Sequence, residues 1–219
     1  MKLSNETREV LKNFSTINSN LMVREGNTLK TISAMKNIVA KAEIPDSFSN
    51  EFGIYDLHEF LSSLSLFKMP DLTFEENRVI LKEDGGKSKC NFYYCDPSVI
   101  TTVSKDITMP SVDVEFTLSE DTLSSVLKAA AVLAAPDLIL SAQEGGDIEL
   151  KVADKKNDTA NSFSVKVGEN SPTSYNYYFK VENLKLIPGT YKVEVSSRNI
   201  SRFVNEAKSV EYFIALETS

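Results

Sequence analysis

A single histidine, His58, and two cysteines, Cys90 and Cys95, are all that the 219-residue chain offers to imidazole or thiol chemistry. A nucleophilic triad needs an imidazole that is oriented from one side and touches a nucleophile on the other. No serine or cysteine on the His58 segment, YDLHEFL, is recognisably placed for that role. The cysteines fall in KCNFYYC, and if this is a strand, positions five apart point to opposite faces. That argues against a disulfide and against a shared metal. The run EDGGKSK at 83–89 ends like a phosphate-binding loop, but such a loop needs a glycine five residues before Gly86, where Leu81 stands. Asp84-Gly85-Gly86 is therefore read as a hairpin turn. Carboxylates are plentiful without forming a DxD-type metal run. The expectation is no catalytic residue, no cofactor and no metal, so not an enzyme.

The remaining chemistry is that of exposed cations. With 24 Lys and Arg against 31 Asp and Glu, the net charge is −7. Net charge describes the whole surface and not one face of it. At one residue per 100° of helix, Leu3, Val10, Leu11, Phe14 and Ile17 form an apolar stripe over residues 4–18. Lys2, Asn5, Arg8, Lys12 and Thr16 lie opposite. Ser4 suits the N-cap, and Glu6 the negative charge favoured in a first turn. Residues 119–134 behave alike: Leu123, Val126, Leu127, Ala130 and Leu133 inward, Ser124 and Lys128 outward, with Ser119 as cap. A third helix, 55–67, buries Leu57, Phe60, Leu61, Leu64 and Phe67. Basic faces on an acidic protein invite contact with nucleic acid; the plainer reading is a solvated surface.

The elements that carry these faces are written twice. LSNETREVLKNF at 3–14 returns as LSEDTLSSVLKAA at 118–130. Each is followed by β-prone runs broken at a turn, Glu25-Gly26-Asn27 and Glu144-Gly145-Gly146, where glycine supplies the positive φ of a hairpin. FGIYDLHEFL from Phe52 then resembles FKVENLKLI from Phe179, and strands follow both. The order helix, strands, helix, strands implies two similar α+β domains, 1–104 and 105–219, with a connector over roughly 95–111 that has proline at both ends. An apolar share of 42% supports real cores. No apolar run is long enough to span a membrane, and the N-terminus lacks a signal-peptide core; an intracellular protein is expected.

Four stretches together, MKLS…LKNFSTINSN, IYDLHEFLSSLSL, CDPS and LIPGTYKVEV, resemble the sliding clamps of T-even-type tailed bacteriophages. These are processivity factors of the phage DNA polymerase. The resemblance runs along nearly the whole chain and is weakest across 84–92 and 154–175. It implies clamp-type domains, two per chain, with three chains closing a pseudo-sixfold ring, helices inside and sheets outside. It implies sequence-independent, sliding contact with duplex DNA through Lys2, Arg8, Lys12, Lys128 and Lys185, the last on a helix in VENLKLI. After Lys128 this chain reads AAAVL where family members tend to carry further basic residues. A C-terminal peptide of the polymerase would sit in an apolar pocket near the connector, formed by Val99, Ile100, Val103, Tyr212 and Ile214. Protomers would join through edge strands, Cys90, Asn91, Phe92, Tyr93 and Tyr94 meeting Ser162, Phe163, Ser164 and Val165. An ATP-driven clamp loader, no membrane, and the cytoplasm of an infected bacterium complete the expectation. Two other readings stand beside it: a phage structural protein with duplicated domains, and a single-strand binder using Tyr175, Tyr177 and Tyr178 as stacking platforms.

Overall fold

A computed structural model describes residues 1–103 and 106–218. The chain divides into two compact units, Met1–Asp106 and Ile107–Ser219. The first unit runs α1 (Asn5–Ile17), β1 (Leu21–Val23), β2 (Gly26–Ile32), β3 (Ile38–Phe48), β4 (Phe52–Ile54), α2 (Leu57–Ser65), β5 (Asp71–Phe74), β6 (Arg78–Lys82) and β7 (Lys89–Tyr93). The second runs β8 (Val114–Leu118), α3 (Glu120–Leu133), β9 (Asp137–Ala142), β10 (Ile148–Ala153), β11 (Phe163–Gly168), β12 (Tyr175–Lys180), β13 (Tyr191–Ser196), β14 (Ile200–Asn205) and β15 (Val210–Ala215).

The repeated letters Leu-Ser-x-x-Thr are a helix start used twice. Ser4 Oγ accepts the Thr7 amide at 3.1 Å, and Ser119 Oγ accepts the Thr122 amide at 3.2 Å. Both serine hydroxyls donate to the following threonine hydroxyl, at 3.0 and 2.9 Å. Leu3 and Leu118, one residue before each cap, are buried and fix how the chain enters the helix. Each cap satisfies an amide that the first helical turn would leave unpaired. Below the caps the apolar stripes are buried: Val10, Leu11, Phe14 and Ile17 on α1, and Leu123, Val126 and Ala130 on α3.

In the first unit β5, β6 and β7 form an antiparallel sheet, β2 pairs with β3, and β1 pairs with β4. Phe60 of α2 meets Phe92 of β7 edge-on, with ring centres 5.1 Å apart. Phe48, Phe52, Phe74 and Tyr94 form a second aromatic cluster. In the second unit β11-β10-β9-β12 and β8-β13-β14-β15 are antiparallel runs. Tyr191, Phe203 and Tyr212 fill that core. The buried Tyr191 hydroxyl donates to the Ile187 carbonyl, and the Ile187 amide donates to the Tyr212 hydroxyl at 3.2 Å.

The two units differ where the repeat in sequence suggested identity. β9 and β10 form a true hairpin through Gly145, whose φ is +72°. The corresponding β1 and β2 do not pair with each other. Gly26, with φ +103°, turns a corner that sends β1 to β4 and β2 to β3. The helix expected in VENLKLI is a single 3-10 turn, Val181–Asn183. Pro188 lacks an amide and biases Ile187 away from helical backbone, so too little chain remains for a helix. The α2 helix is shorter than the expected 55–67 because Asp56 caps it, accepting the amides of His58 and Glu59 at 2.9 and 3.0 Å.

Candidate nucleic-acid interface and partner surfaces

The candidate DNA-facing cations occupy four different settings. Lys12 and Lys128 are exposed on α1 and α3. Lys2 is already engaged: its ammonium lies 3.2 Å from Asp84 and 3.7 Å from Asp71, and the Asp84 hydrogen bond leads the interactions that raise its pKa. Arg8 is half-buried, and its Nε and Nη2 atoms lie out of solvent without a hydrogen-bond partner. It sits near Asp46, which anchors the start of α1 by accepting the Ser4 amide at 2.8 Å. Burial pushes the Asp46 carboxyl up, but hydrogen bonds from Thr7 and Ser4 and the Arg8 charge hold it below the ordinary range. Lys185 follows the Val181–Asn183 turn and so does not sit on a helix face.

Helices α1 and α2 lie side by side. Between them runs a groove of about 600 Å³ whose lining includes Arg8, Lys12 and His58. Nothing in the spacing of residues groups His58 with α1, because only the lateral packing of the helices brings them together.

The expected peptide pocket divides in the same way. Val103 lines a depression of about 270 Å³ with Met22, Arg24, Lys30 and Lys41. Lys30 and Lys41 stand directly opposite across the β2–β3 pair, a destabilising arrangement of like charge. The Asp106 carboxylate relieves it, 2.5 Å from Lys30 Nζ, and that contact lowers the Asp106 pKa. Ile100 is buried, closing over Gly53, where an added Cβ would lie 2.6 Å from Ile100 Cδ1 and 3.0 Å from the Cys95 carbonyl. Val99 is exposed. Tyr212 and Ile214 are corrected to core residues: both are fully buried in the second unit and present nothing to a peptide.

The edge strands show a contrast. Met1 covers the outer side of β5 through paired backbone contacts with Leu72 at 2.7 and 3.0 Å. Glu217 covers β12 by donating its amide to the Tyr178 carbonyl at 2.8 Å. Among the described residues, the outer edges of β7 and β11 carry no such cover. Of the candidate interface residues on and beside these strands, Asn91, Tyr93, Ser162, Phe163 and Ser164 are exposed, Cys90 and Val165 half-buried. Phe92 faces inward onto α2. Tyr94 also turns inward, stacking on Phe52 at 4.8 Å, and burial pushes its hydroxyl up to about 12. Both thiols are free. Among the described residues, no cluster of His, Cys, Asp and Glu could hold a metal, and no helix is long and apolar enough to cross a membrane. Tyr175 and Tyr177 stack on each other at 5.3 Å, so their faces are partly spent.

Two family models match the chain: DNA polymerase processivity factor over residues 4–102, and gp45 sliding clamp, C terminal, over residues 115–218. The chain is 36% identical over 222 residues to the sliding clamp of Vibrio phage KVP40, covering 99% of both. This chain belongs to the sliding-clamp family. It is also 27% identical to the sliding clamp of Enterobacteria phage T4, over 99% of this chain and 97% of that one. The fold is shared more widely. PCNA from A. fulgidus, in a structure with the C-terminal region of FEN-1 bound, superposes with a TM-score of 0.73 at 13% identity, covering 100% and 98% of the two chains. The DNA polymerase III β subunit of Pseudomonas aeruginosa gives 0.65 at 13% identity, covering all of this chain and 65% of that one. As a member of this family the chain is a DNA polymerase processivity factor. The structural-protein and single-strand-binding readings are not favoured.

Proposed function

We propose that three copies of this chain close into a ring around duplex DNA and tether the replicative polymerase to it, without catalysis. The observation that carries the reading is that each unit has an uncovered edge among the described residues, β7 in the first and β11 in the second. An edge in one unit that meets a different edge in the next copy makes a head-to-tail contact, which generates a ring when the rotation closes. Exposed strand edges are otherwise a liability that proteins cover, as Met1 and Glu217 do at β5 and β12. Tyr93 and Phe163, both exposed, supply apolar surface at that contact.

In such a ring α1 and α3 turn Lys12 and Lys128 toward the phosphates, with Arg8 beside them. Contact of this kind is electrostatic and sequence-independent, which permits sliding. The depression at Val103 takes a C-terminal peptide of the polymerase; the bound FEN-1 C-terminal region on the A. fulgidus relative supports that mode. An ATP-driven loader opens the ring on DNA in the cytoplasm of the infected host.

The test is charge reversal at the two exposed helix positions. The double variant Lys12→Glu, Lys128→Glu keeps its fold, since exposed helix substitutions typically shift stability by under about 0.5 kcal/mol. Arg8 is left in place because a carboxylate there would face Asp46. Retention of the loaded variant on circular DNA drops sharply, and wild-type retention itself weakens as salt rises. A folded ring of the double variant that is retained like wild type contradicts the DNA-facing assignment.

A further inference from the structure

We infer that the depression beside Val103 holds the free C-terminal carboxylate of its partner peptide on Lys30 and Lys41, and that Asp106 keeps that place until the peptide displaces it. This rests on the tail-peptide reading above and names what the site selects: a peptide that ends there as a free acid.

The lining suits such an end. Met22 and Val103 supply apolar surface, while Arg24, Lys30 and Lys41 bring three cations against one carboxylate, Glu25. Arg24 is already paired with Glu51 at 3.0 Å. Lys30 and Lys41 face one another across the β2–β3 pair, both half-buried. Among the described residues Lys41 makes no ion pair or side-chain hydrogen bond of its own. Two like charges held this way destabilise the strand pair unless an anion lies beside them. Asp106 is that anion in the free chain, 2.5 Å from Lys30 Nζ. The Lys30 hydrogen bond, then the charges of Lys30 and Lys41, hold its carboxyl below the ordinary range, so a carboxylate at this place senses both lysines. The Asp106 side chain is 69% exposed. An ion pair with so exposed a partner contributes little, and another carboxylate can replace it at small cost. A C-terminal peptide brings one whatever its sequence, because its α-carboxyl group is ionised at neutral pH. Where apolar side chains of the peptide cover Met22 and Val103, water is excluded around its end and the same attraction strengthens.

The test is calorimetric titration of the assembled protein with a synthetic C-terminal peptide of the cognate polymerase, made once as the free acid and once as the C-terminal amide. At low salt the acid is expected to bind about fivefold more tightly, as for a partly exposed ion pair, and that preference to narrow as salt rises. Lys30→Gln together with Lys41→Gln should abolish the preference with the oligomeric mass unchanged. Asp106→Asn should tighten binding of the acid and leave the amide as it was, because only the acid competes with Asp106. Equal binding of acid and amide to the wild-type protein, or an Asp106→Asn variant that binds the acid no better, overturns the inference. An amide that matches the acid yet weakens in the double lysine variant overturns it in favour of an acidic side chain of the peptide. The amide also tests the underlying site separately: if Val103→Lys leaves its affinity unchanged, the peptide sits elsewhere and both readings fall.

Discussion

Val103 shows how one residue's meaning depends on what the fold sets around it. As a connector valine with no evident core to fill, it marks an apolar anchor point. The structure adds Lys30 and Lys41, so a carboxylate introduced at 103 would find cations nearby. Lysine is the discriminating substitution, because it both fills the depression and adds like charge. Val103→Lys is expected to weaken binding of the isolated polymerase tail peptide at least about tenfold, ~1.4 kcal/mol, with the oligomeric mass unchanged. Peptide titration by calorimetry checks this, and unchanged affinity places the pocket elsewhere. The serine caps were legible because the interaction is local, three residues from side chain to amide. The Lys30–Lys41 pair was not, since it depends on the β2–β3 register. Tyr212 and Ile214 misled for a related reason: β15 buries Tyr212, Phe213 and Ile214 in succession, so covered faces on both sides erase the alternation that would mark an exposed side.

Among the elements, α1 and α3 were readable from periodicity and capping, whereas the shared outline of FGIYDLHEFL and FKVENLKLI hid different structures. Asp56 caps a helix in the first, and Lys180 makes no side-chain cap in the second. Lys180 is instead committed to Asp137, across the β9–β12 pair, at 2.6 Å. Asp137 is nearly inaccessible and also accepts the Lys155 amide at 3.1 Å, tying the turn after β10 to the start of β9. Burial raises its carboxyl pKa, but the Lys180 and Lys155 contacts outweigh this and hold it below the ordinary range. A carboxyl lowered on folding stabilises the protein above its unfolded-chain value, near about 4. That stability is lost as pH falls through the folded value. Asp137→Asn is therefore expected to cost about 1–3 kcal/mol at neutral pH. The deficit should shrink as pH falls from about 4 through the lower folded value, below which the folded wild type also loses the charge. Denaturant midpoints at neutral and acidic pH measure it; an equal deficit at both would show that packing, not charge, is what the asparagine disturbs.

For the molecule as a whole, the repeat explains how an acidic chain can serve DNA. Each unit carries a capped helix with an exposed lysine, Lys12 or Lys128, and an uncovered strand edge, β7 or β11. The duplication of the domain was visible in the sequence, because helix starts and turn glycines repeat in order. Which edges stay open was not, since covering β5 and β12 falls to Met1 and Glu217, remote in sequence from the strands they protect. Two units per chain, with unlike open edges at β7 and β11, make ring closure the central claim, and mass in solution tests it most directly. Light scattering across micromolar concentrations should give three times the 24.4 kDa chain mass. Insertion of proline within β7, for example Asn91→Pro, should lower that mass by removing a backbone donor at the edge. A wild-type protein that stays at the mass of one chain throughout that range would contradict the ring.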